Sequence, residues 1–259
     1  MKTQNSLSQK TADVSTGEIF KEERSFLAEG YDFVVGIDEA GRGPLAGPVT
    51  AAAVAWRNIQ YPILNIQSNP NNQEFFKNIN LIKDSKKLSE KQREALYDFI
   101  QDNFYVGVGI CDHSTIDRVN ILEATYLAMK SAIAALNSKI QMSNDKSNPN
   151  FKFQNFKKII LVDGNKIIPN LSIEQRAIVG GDGFVKSIAA ASIIAKVTRD
   201  RMMREAHSKY PQYNFLQHKG YGTKIHMDAL KKFGPCEIHR RSFRPVRDAI
   251  DMYRMMISN

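Results

Sequence analysis

The stretch Val34–Val49 reads VVGIDEAGRGPLAGPV and joins an apolar run, two adjacent acids and a glycine-rich turn. The run Phe33–Ile37 has the composition of a buried strand. Asp38 and Glu39 follow at its end, where two neighbouring carboxylates are costly unless a cation neutralises them. The sequence therefore predicts a divalent-metal site at a strand end, beside glycines that let the backbone approach a ligand closely.

Two further acids come after short apolar runs. Asp163 follows Ile159–Val162, and Asp182 comes shortly after Ile178–Val179. Strand ends are where the sites of α/β sheets gather, and ligation by oxygen alone suits Mg²⁺ or Mn²⁺ better than zinc. For any single acid a turn or helix-capping role is the ordinary alternative. The adjacent pair Asp38–Glu39 favours the metal site.

Two features next to these acids could contact a nucleotide. Gly41–Arg42–Gly43 can present backbone N–H groups to a sugar or phosphate, or it can be a tight turn between strands. A dinucleotide-binding loop is a weaker alternative, because no helix opens after the glycines and two prolines interrupt the stretch. Tyr221, between basic residues and glycine, suits stacking on a base, although a half-buried structural tyrosine is an equal alternative.

Positive charge is concentrated towards the C-terminus of this 259-residue chain. The net charge is +9, and residues 186–247 alone hold fourteen Lys or Arg against four Asp or Glu. A basic surface favours nucleic acid or an anionic membrane as a partner. We expect Lys86, Lys196 and Lys219 to contact phosphates.

The cysteines and histidines suggest no structural metal or disulfide. Cys111 and Cys236 form no CxxC pair, so a reduced compartment is expected. A zinc site would have to use residues whose spacings match no finger or ribbon, namely His218, His226, Cys236 and His239. No apolar run is long enough for a bilayer, and the N-terminus lacks the apolar core of a signal peptide. We therefore expect a cytoplasmic monomer with no membrane partner.

The order of elements predicts a mixed α/β sheet. The predicted strands are Phe33–Ile37, Val49–Trp56, Phe104–Cys111, Lys158–Val162 and Ala177–Val179. The predicted helices include one that opens at the capping box of Ser89 and Gln92, and a long one over Ser187–Tyr210. Residues 1–28 are expected to be a flexible tail and 29–259 one catalytic domain. Two Asn/Gln-rich stretches, 57–80 and 137–157, are expected to be surface insertions.

Six ordered blocks of the chain closely resemble the motifs of the ribonuclease HII family. They run from about Val34 to Val246 and comprise Asp38–Val49, Asp84–Ser89, Leu161–Gly164, Gly181–Asp182 with Ala189–Asp200, His218–Tyr221 and His239–Phe243. The resemblance implies a ribonuclease H-like fold, with a five-stranded mixed sheet flanked by helices and a C-terminal helical part that closes over the substrate. The glycine-rich signature has the HII form, with Ala40 and Arg42, and we expect no counterpart of the extra N-terminal domain of ribonuclease HIII.

The resemblance also implies an activity and its residues. The family cleaves RNA within RNA–DNA hybrids and incises 5′ of single ribonucleotides in duplex DNA, leaving a 3′-hydroxyl and a 5′-phosphate. Its metal ligands, for Mg²⁺ or Mn²⁺, map to Asp38, Glu39, Asp163 and Asp182. Its Gly-Arg-Gly loop, here Gly41–Gly43, reads the ribose 2′-OH. Its tyrosine, here Tyr221, stacks at the junction between ribo- and deoxyribonucleotide.

Two other functions stay open. A DNA nuclease or resolvase on the same fold would share the acidic cluster but would not need the sugar-reading loop. A non-catalytic hybrid-binding protein would gain nothing from four carboxylates that repel phosphates at its centre.

The residues after Asp182, Gly183–Val185, are less polar than the family pattern leads us to expect.

Overall fold

One mixed sheet organises the part of the chain described by the computed structural model, residues 20–57, 73–144 and 156–257. Its strands are β1 Phe33–Ala40, β2 Val49–Trp56, β3 Phe104–Cys111, β4 Lys158–Asp163 and β5 Glu174–Ile178. The strand order is β3-β2-β1-β4-β5. Strand β2 runs antiparallel to β1 and β3, whereas β4 runs parallel to β1 and β5. The predicted five-stranded mixed sheet is confirmed.

Helices cover both faces of this sheet and extend beyond its end. They are α1 Lys21–Ala28, α2 Gln73–Leu81, α3 Glu90–Asn103, α4 His113–Val119, α5 Ile121–Asn144, α6 Lys186–Lys209, α7 Phe215–His218, α8 Lys224–Phe233 and α9 Arg244–Ile257. Short 3₁₀ turns occur at Ser85–Lys87, Gly181–Gly183 and Pro211–Tyr213. Helix α3 begins with the predicted capping box, in which Ser89 and Gln92 satisfy each other's backbone N–H groups.

The two long helices form the main layers of the core. On one face α5 packs on small and branched side chains such as Ala51, Ala53 and Val162. On the other face α6 crosses β1 so closely that a side-chain carbon added at Gly36 would lie 2.1 Å from the backbone of Ser187. Only glycine permits this approach. It brings the turn that precedes α6 to the carboxyl end of β1, where the site is formed.

The C-terminal helices have an apolar cluster of their own, which includes Met203, Phe215, Leu230 and Val246. Leu45 and Ala46, from the glycine-rich turn between β1 and β2, belong to this same cluster. The turn is thus packed between the sheet and the C-terminal helical part.

The packed chain begins earlier than the predicted domain boundary at residue 29. Phe20 is buried and stacks on Trp56 with ring centroids 4.4 Å apart. The carboxylate of Glu23, in α1, accepts a 2.7 Å hydrogen bond from the backbone N–H of Ser187. The expectation of a flexible tail is therefore wrong for residues 20–28, because the contacts of Phe20 and Glu23 attach this largely charged segment to the core. Residues 1–19 lie outside the described residues.

The two predicted surface insertions also differ from the structure where they are described. Helix α2 begins within 57–80 and ends at Leu81. It buries Ile79, with Phe75 and Phe76 packed on the same core cluster. Residues 137–144 continue α5. The high Asn and Gln content concealed an apolar spacing of four residues between Phe75 and Ile79, which suits a helix. Residues 58–72 and 145–155 are outside the described part.

The edge strand β5 is the least accurately predicted strand. It spans Glu174–Ile178, so it begins three residues and ends one residue before the predicted strand Ala177–Val179. Val179 is exposed. Because β5 is a partly solvated edge strand, its sequence lacks the apolar run that identified the central strands.

Candidate metal centre and nucleic-acid interface

Three of the four predicted acids meet at the carboxyl ends of neighbouring strands. Ile37 pairs with Val162 across the parallel strands β1 and β4, so Asp38 and Asp163 are the next residues on each. Asp182 reaches the same point from the 3₁₀ turn between β5 and α6. One carboxylate oxygen from each of the three lies within 4.8 Å of the others. This spacing suits ligands that share a cation.

The electrostatics of this cluster favour the same conclusion. Asp38 is only 7 % exposed. Burial, followed by the charges of Glu39 and Asp163, raises the pKa of Asp38 well above its usual range. Burial and the charge of Asp182 raise the pKa of Asp163. The ammonium of Lys86 lies 3.5 Å from Asp182 and offsets only part of this repulsion, so the donor set fits a divalent cation.

Glu39 lies beside the three converging aspartates and is not one of them. Successive residues of a strand point to opposite faces. Glu39 lines a cavity together with residues of α5, and it accepts a 3.1 Å hydrogen bond from Arg42. Burial raises the pKa of Glu39, and Arg42 opposes that rise. Glu39 and Asp163 both line a cavity of about 310 Å³. Glu39 is thus beside the cluster, with Asp163 common to both.

The glycine-rich turn is held by two buried arginines that the sequence analysis did not single out. Gly41 has a φ of +100°, and a side-chain carbon there would lie 2.1 Å from the Arg199 side chain. Arg199 donates to the carbonyls of Pro48, Ala46 and Lys219 at 2.9–3.0 Å. Arg240 donates to five carbonyls of the same turn, those of Gly41, Arg42, Pro44, Gly47 and Pro48.

These arginines stay charged although they are buried. Burial lowers the pKa of Arg199 to about 10. Burial, and then the neighbouring Arg199, lower the pKa of Arg240 to about 9. The carbonyl dipoles around each guanidinium take the place of a carboxylate partner. Arg240 belongs to the His239–Phe243 block, but nothing in the sequence shows which atoms its side chain contacts.

Tyr221 lies directly beside the turn. A side-chain carbon added at Gly43 would be 3.6 Å from Cε1 of the Tyr221 ring. Tyr221 is 46 % exposed, so its side chain is accessible to a nucleotide. The structure thus brings Gly41–Gly43 and Tyr221 together, although 178 positions separate Gly43 from Tyr221.

The four residues weighed as a zinc site do cluster: three of them bond to one another, and His218 stacks on His226. His226 Nε2 lies 2.9 Å from His239 Nε2, and His226 Nδ1 lies 2.9 Å from the carbonyl of Tyr221. The backbone N–H of Cys236 donates to His239 Nδ1 at 3.0 Å. His218 is bonded at both ring nitrogens, to Tyr213 and Gly220. These contacts occupy the imidazole nitrogens, so the cluster is a hydrogen-bonded support and the zinc interpretation is wrong.

The three predicted phosphate-binding lysines differ in their surroundings. Lys86 is largely exposed at the acidic cluster. Lys219 follows α7 next to Tyr221, and its ammonium contacts the Leu216 carbonyl. Lys196 lies on α6 with its ammonium 2.7 Å from Asp200. Its charge is already paired within the fold.

Phe184 is a further exposed residue of the site that the structure brings forward. It comes two residues after Asp182 and is 58 % exposed. The sequence analysis noted only that this segment is unusually apolar.

Comparisons with known proteins point to one family. The family model for Ribonuclease HII matches residues 35–246. The chain is 47 % identical to Ribonuclease HII of Caldicellulosiruptor bescii over 86 % of this chain and 92 % of that protein. It is 44 % identical to Ribonuclease HII of Endomicrobium trichonymphae over 92 % of this chain and 98 % of that protein.

A solved structure extends the agreement to the fold. The crystal structure of ribonuclease H2 from Pyrococcus horikoshii OT3 superposes with a TM-score of 0.58 at 26 % identity, covering 86 % of this chain and 99 % of that one. Within the described residues, the helices are too short or too polar to cross a membrane.

Proposed function

The chain belongs to the ribonuclease HII family, and we propose that it hydrolyses RNA within RNA–DNA hybrids and also incises 5′ of single ribonucleotides in duplex DNA. The first of these activities is that of a hydrolytic endoribonuclease. The second activity, incision at a single ribonucleotide, is supported by the closeness of the Gly41–Gly43 loop, the exposed Tyr221 and the acidic cluster.

One observation carries the proposal. The oxygen atoms of Asp38, Asp163 and Asp182 converge within 4.8 Å at the end of a buried sheet. We propose that these three residues hold Mg²⁺ or Mn²⁺, and that Glu39 contributes from the adjoining cavity. The metal, when bound, supplies a water of lowered pKa and positive charge for the leaving oxygen.

The chain's own residues would then place the substrate. Backbone groups of Gly41–Gly43 would contact the ribose 2′-OH, which distinguishes RNA from DNA. The Tyr221 ring would stack on the neighbouring nucleotide. Lys86, beside Asp182, would meet the phosphate nearest the acids. The products would be a 3′-hydroxyl and a 5′-phosphate, and a cytoplasmic location stays a prediction.

A cleavage assay tests the proposal directly. The full chain would be incubated in Mg²⁺, in Mn²⁺ or in chelator with three end-labelled duplexes: all DNA, a long RNA–DNA hybrid, and DNA with one ribonucleotide. We expect metal-dependent cleavage of the second and third, with the cut in the third on the 5′ side of the ribonucleotide. Cleavage of the all-DNA duplex would favour a DNA nuclease, and binding without cleavage would favour a hybrid-binding protein.

A further inference from the structure

Two consecutive buried residues, His239 and Arg240, are linked by hydrogen bonds to the two parts of the proposed substrate contact, the Gly41–Gly43 loop and Tyr221. Their backbone is fixed to the glycine-rich turn: the N–H of Arg240 donates to Leu45 at 2.9 Å, and the N–H of Gly47 donates to Ile238 at 2.9 Å. Leu45 in turn donates to the carbonyl of Gly220, next to Tyr221, at 2.8 Å. The segment is thus bonded to the turn, and the turn is bonded to the neighbour of Tyr221.

The Arg240 side chain fixes the shape of the turn. A guanidinium has five N–H groups in a rigid plane, and all five are used on the carbonyls of Gly41, Arg42, Pro44, Gly47 and Pro48 at 2.6–3.1 Å. Pointing these carbonyls inwards sets the direction of the peptide units between them. A lysine, with three N–H groups on a flexible stem, could not make this set of contacts.

The His239 side chain supports Tyr221 through one intermediate. The Tyr221 carbonyl can only accept, so the Nδ1 of His226 carries the proton. The Nδ1 of His239 lies 3.0 Å from the backbone N–H of Cys236, 3.1 Å from its thiol and 3.3 Å from its carbonyl. The shortest of these contacts makes Nδ1 the acceptor, and the Nε2 of His239 then carries the proton. The remaining contact, His239 Nε2–H to His226 Nε2 at 2.9 Å, then has one donor and one acceptor. The relay is fully satisfied with both imidazoles neutral, and it ends on the backbone of Tyr221.

From these contacts we infer that His239 and Arg240 are a positioning pair that holds the Gly41–Gly43 loop in register with Tyr221. This inference rests on the proposed function, because it assumes that the loop and the ring read the same substrate. Neither residue need touch the substrate. Together they fix the distance between a sugar contact and a base contact before the nucleic acid binds, which removes an ordering cost from binding.

The consequence is a selective loss. A single ribonucleotide in DNA offers one place where the loop and the ring can engage together, whereas a long hybrid offers many. Loosening the register should therefore lower kcat/KM on the single ribonucleotide more than on the hybrid. A role confined to folding would lower both by the same factor.

The experiment measures one ratio, kcat/KM on the single ribonucleotide divided by kcat/KM on the long hybrid. It compares this ratio in the full unmodified chain and in Arg240→Lys, at a temperature well below the melting point of each protein. We expect the ratio to fall about tenfold, since a small misplacement of substrate contacts is costly. The matched control is Arg57→Lys, because Arg57 also donates to two backbone carbonyls, those of Phe104 and Gln101, but lies away from the site. Its ratio should not change.

A second pair of variants tests the other arm and does not depend on Arg240. His239→Phe keeps a ring but removes both nitrogens, and it should lower the ratio. His239→Gln keeps a donor for His226 and should restore much of it. In a Tyr221→Ala background, Arg240→Lys should lower the ratio further by much less than it does alone, because the two act through one arrangement.

The outcomes separate this inference from the proposed function. An unmodified protein that fails to cleave at the single ribonucleotide would contradict the proposed function. Two other outcomes would overturn the positioning pair and leave the function intact, provided that the unmodified protein cleaves both substrates. In the first, the variants lose activity equally on both substrates. In the second, their loss adds to that of Tyr221→Ala.

Discussion

The acidic cluster and the arginine-held turn are neighbours at the end of β1, where Asp38 belongs to the cluster and Gly41 begins the turn. Both regions bury charge. In the cluster, like charges face one another, and burial raises the pKa of Asp38 and Asp163. In the turn, each N–H of Arg240 has a carbonyl acceptor within the same chain. The protein therefore completes the turn by itself but leaves the cluster short of positive charge. A buried ion is tolerated when its partners are present, so the turn is preorganised and the cluster is built for a metal.

Asp163→Asn should produce the largest effect, because Asp163 lies in the three-aspartate cluster and also lines the cavity beside Glu39. The amide keeps the volume but loses the charge that holds the cation. We expect cleavage of both substrates to fall by about a hundredfold or more at saturating Mg²⁺ or Mn²⁺. Initial rates and metal titration would measure this.

Asp112→Asn is the matched control for that variant. Asp112 also follows a strand, β3, but its carboxylate caps α4 by accepting from Thr115 at 2.7 Å. Asparagine caps helices nearly as well as aspartate, so activity should be retained. Substantial turnover by Asp163→Asn would remove this residue from the ligand set and break the contrast between the two regions.

Tyr221→Ala should have the next largest effect. Stacking of a base on an aromatic ring contributes roughly 1–3 kcal/mol, so kcat/KM on a single ribonucleotide should fall about tenfold or more. The loss should be smaller on a long hybrid, and Tyr221→Phe should stay near the unmodified protein. If the phenylalanine variant is as damaged as the alanine variant, the hydroxyl is the important group and stacking is not the main role.

Asp38→Asn should increase the stability of the metal-free protein while it abolishes activity. Because the folded protein raises the pKa of Asp38, the folded state binds more protons than the unfolded state between the two pKa values. Stability therefore falls as pH rises from the ordinary pKa of an aspartate to the raised pKa of Asp38. The amide cannot ionise, so the variant should avoid this loss of stability.

Thermal unfolding in chelator, over a pH series, would measure this gain. Each 1 kcal/mol recovered should raise the melting temperature by about 2–4 °C in a chain of this size. Added Mg²⁺ or Mn²⁺ should stabilise the unmodified protein more than the variant, since only the former has the full ligand set. A variant that is less stable than the unmodified protein at pH 7 in chelator would show that the cluster is satisfied without a cation.

The same contrast explains what could be predicted from the sequence. The carboxylates follow apolar runs, and the ends of neighbouring parallel strands meet, so a local pattern places Asp38 and Asp163 together. The capping box at Ser89 is equally local. The role of Arg240 is not local, because its five acceptors lie nearly two hundred residues earlier and are backbone atoms that any sequence would supply. Phe20 and Glu23 escaped notice for a similar reason: their partners, Trp56 and Ser187, are distant in the chain.

The smallest expected effect concerns the lysines, and it separates charges that are paired within the fold from charges that are available to phosphate. Binding to a duplex should weaken with salt, with a slope of log affinity against log salt concentration of roughly −0.9 for each neutralised phosphate.

The ammonium of Lys196 lies 2.7 Å from Asp200, whereas that of Lys219 lies near the proposed nucleotide contact at Tyr221. Lys219→Gln should therefore reduce the slope by about one unit. Lys196→Gln should leave the slope unchanged, although it is expected to lower stability because Asp200 would lose its 2.7 Å contact and keep only the 3.8 Å contact with Arg93. Hybrid binding by Asp163→Asn protein, measured from low to moderate salt, allows titration without cleavage. A flatter slope for Lys196→Gln than for Lys219→Gln would mean that Lys196 leaves Asp200 for the phosphate on binding, and that this part of the surface is rearranged by its substrate.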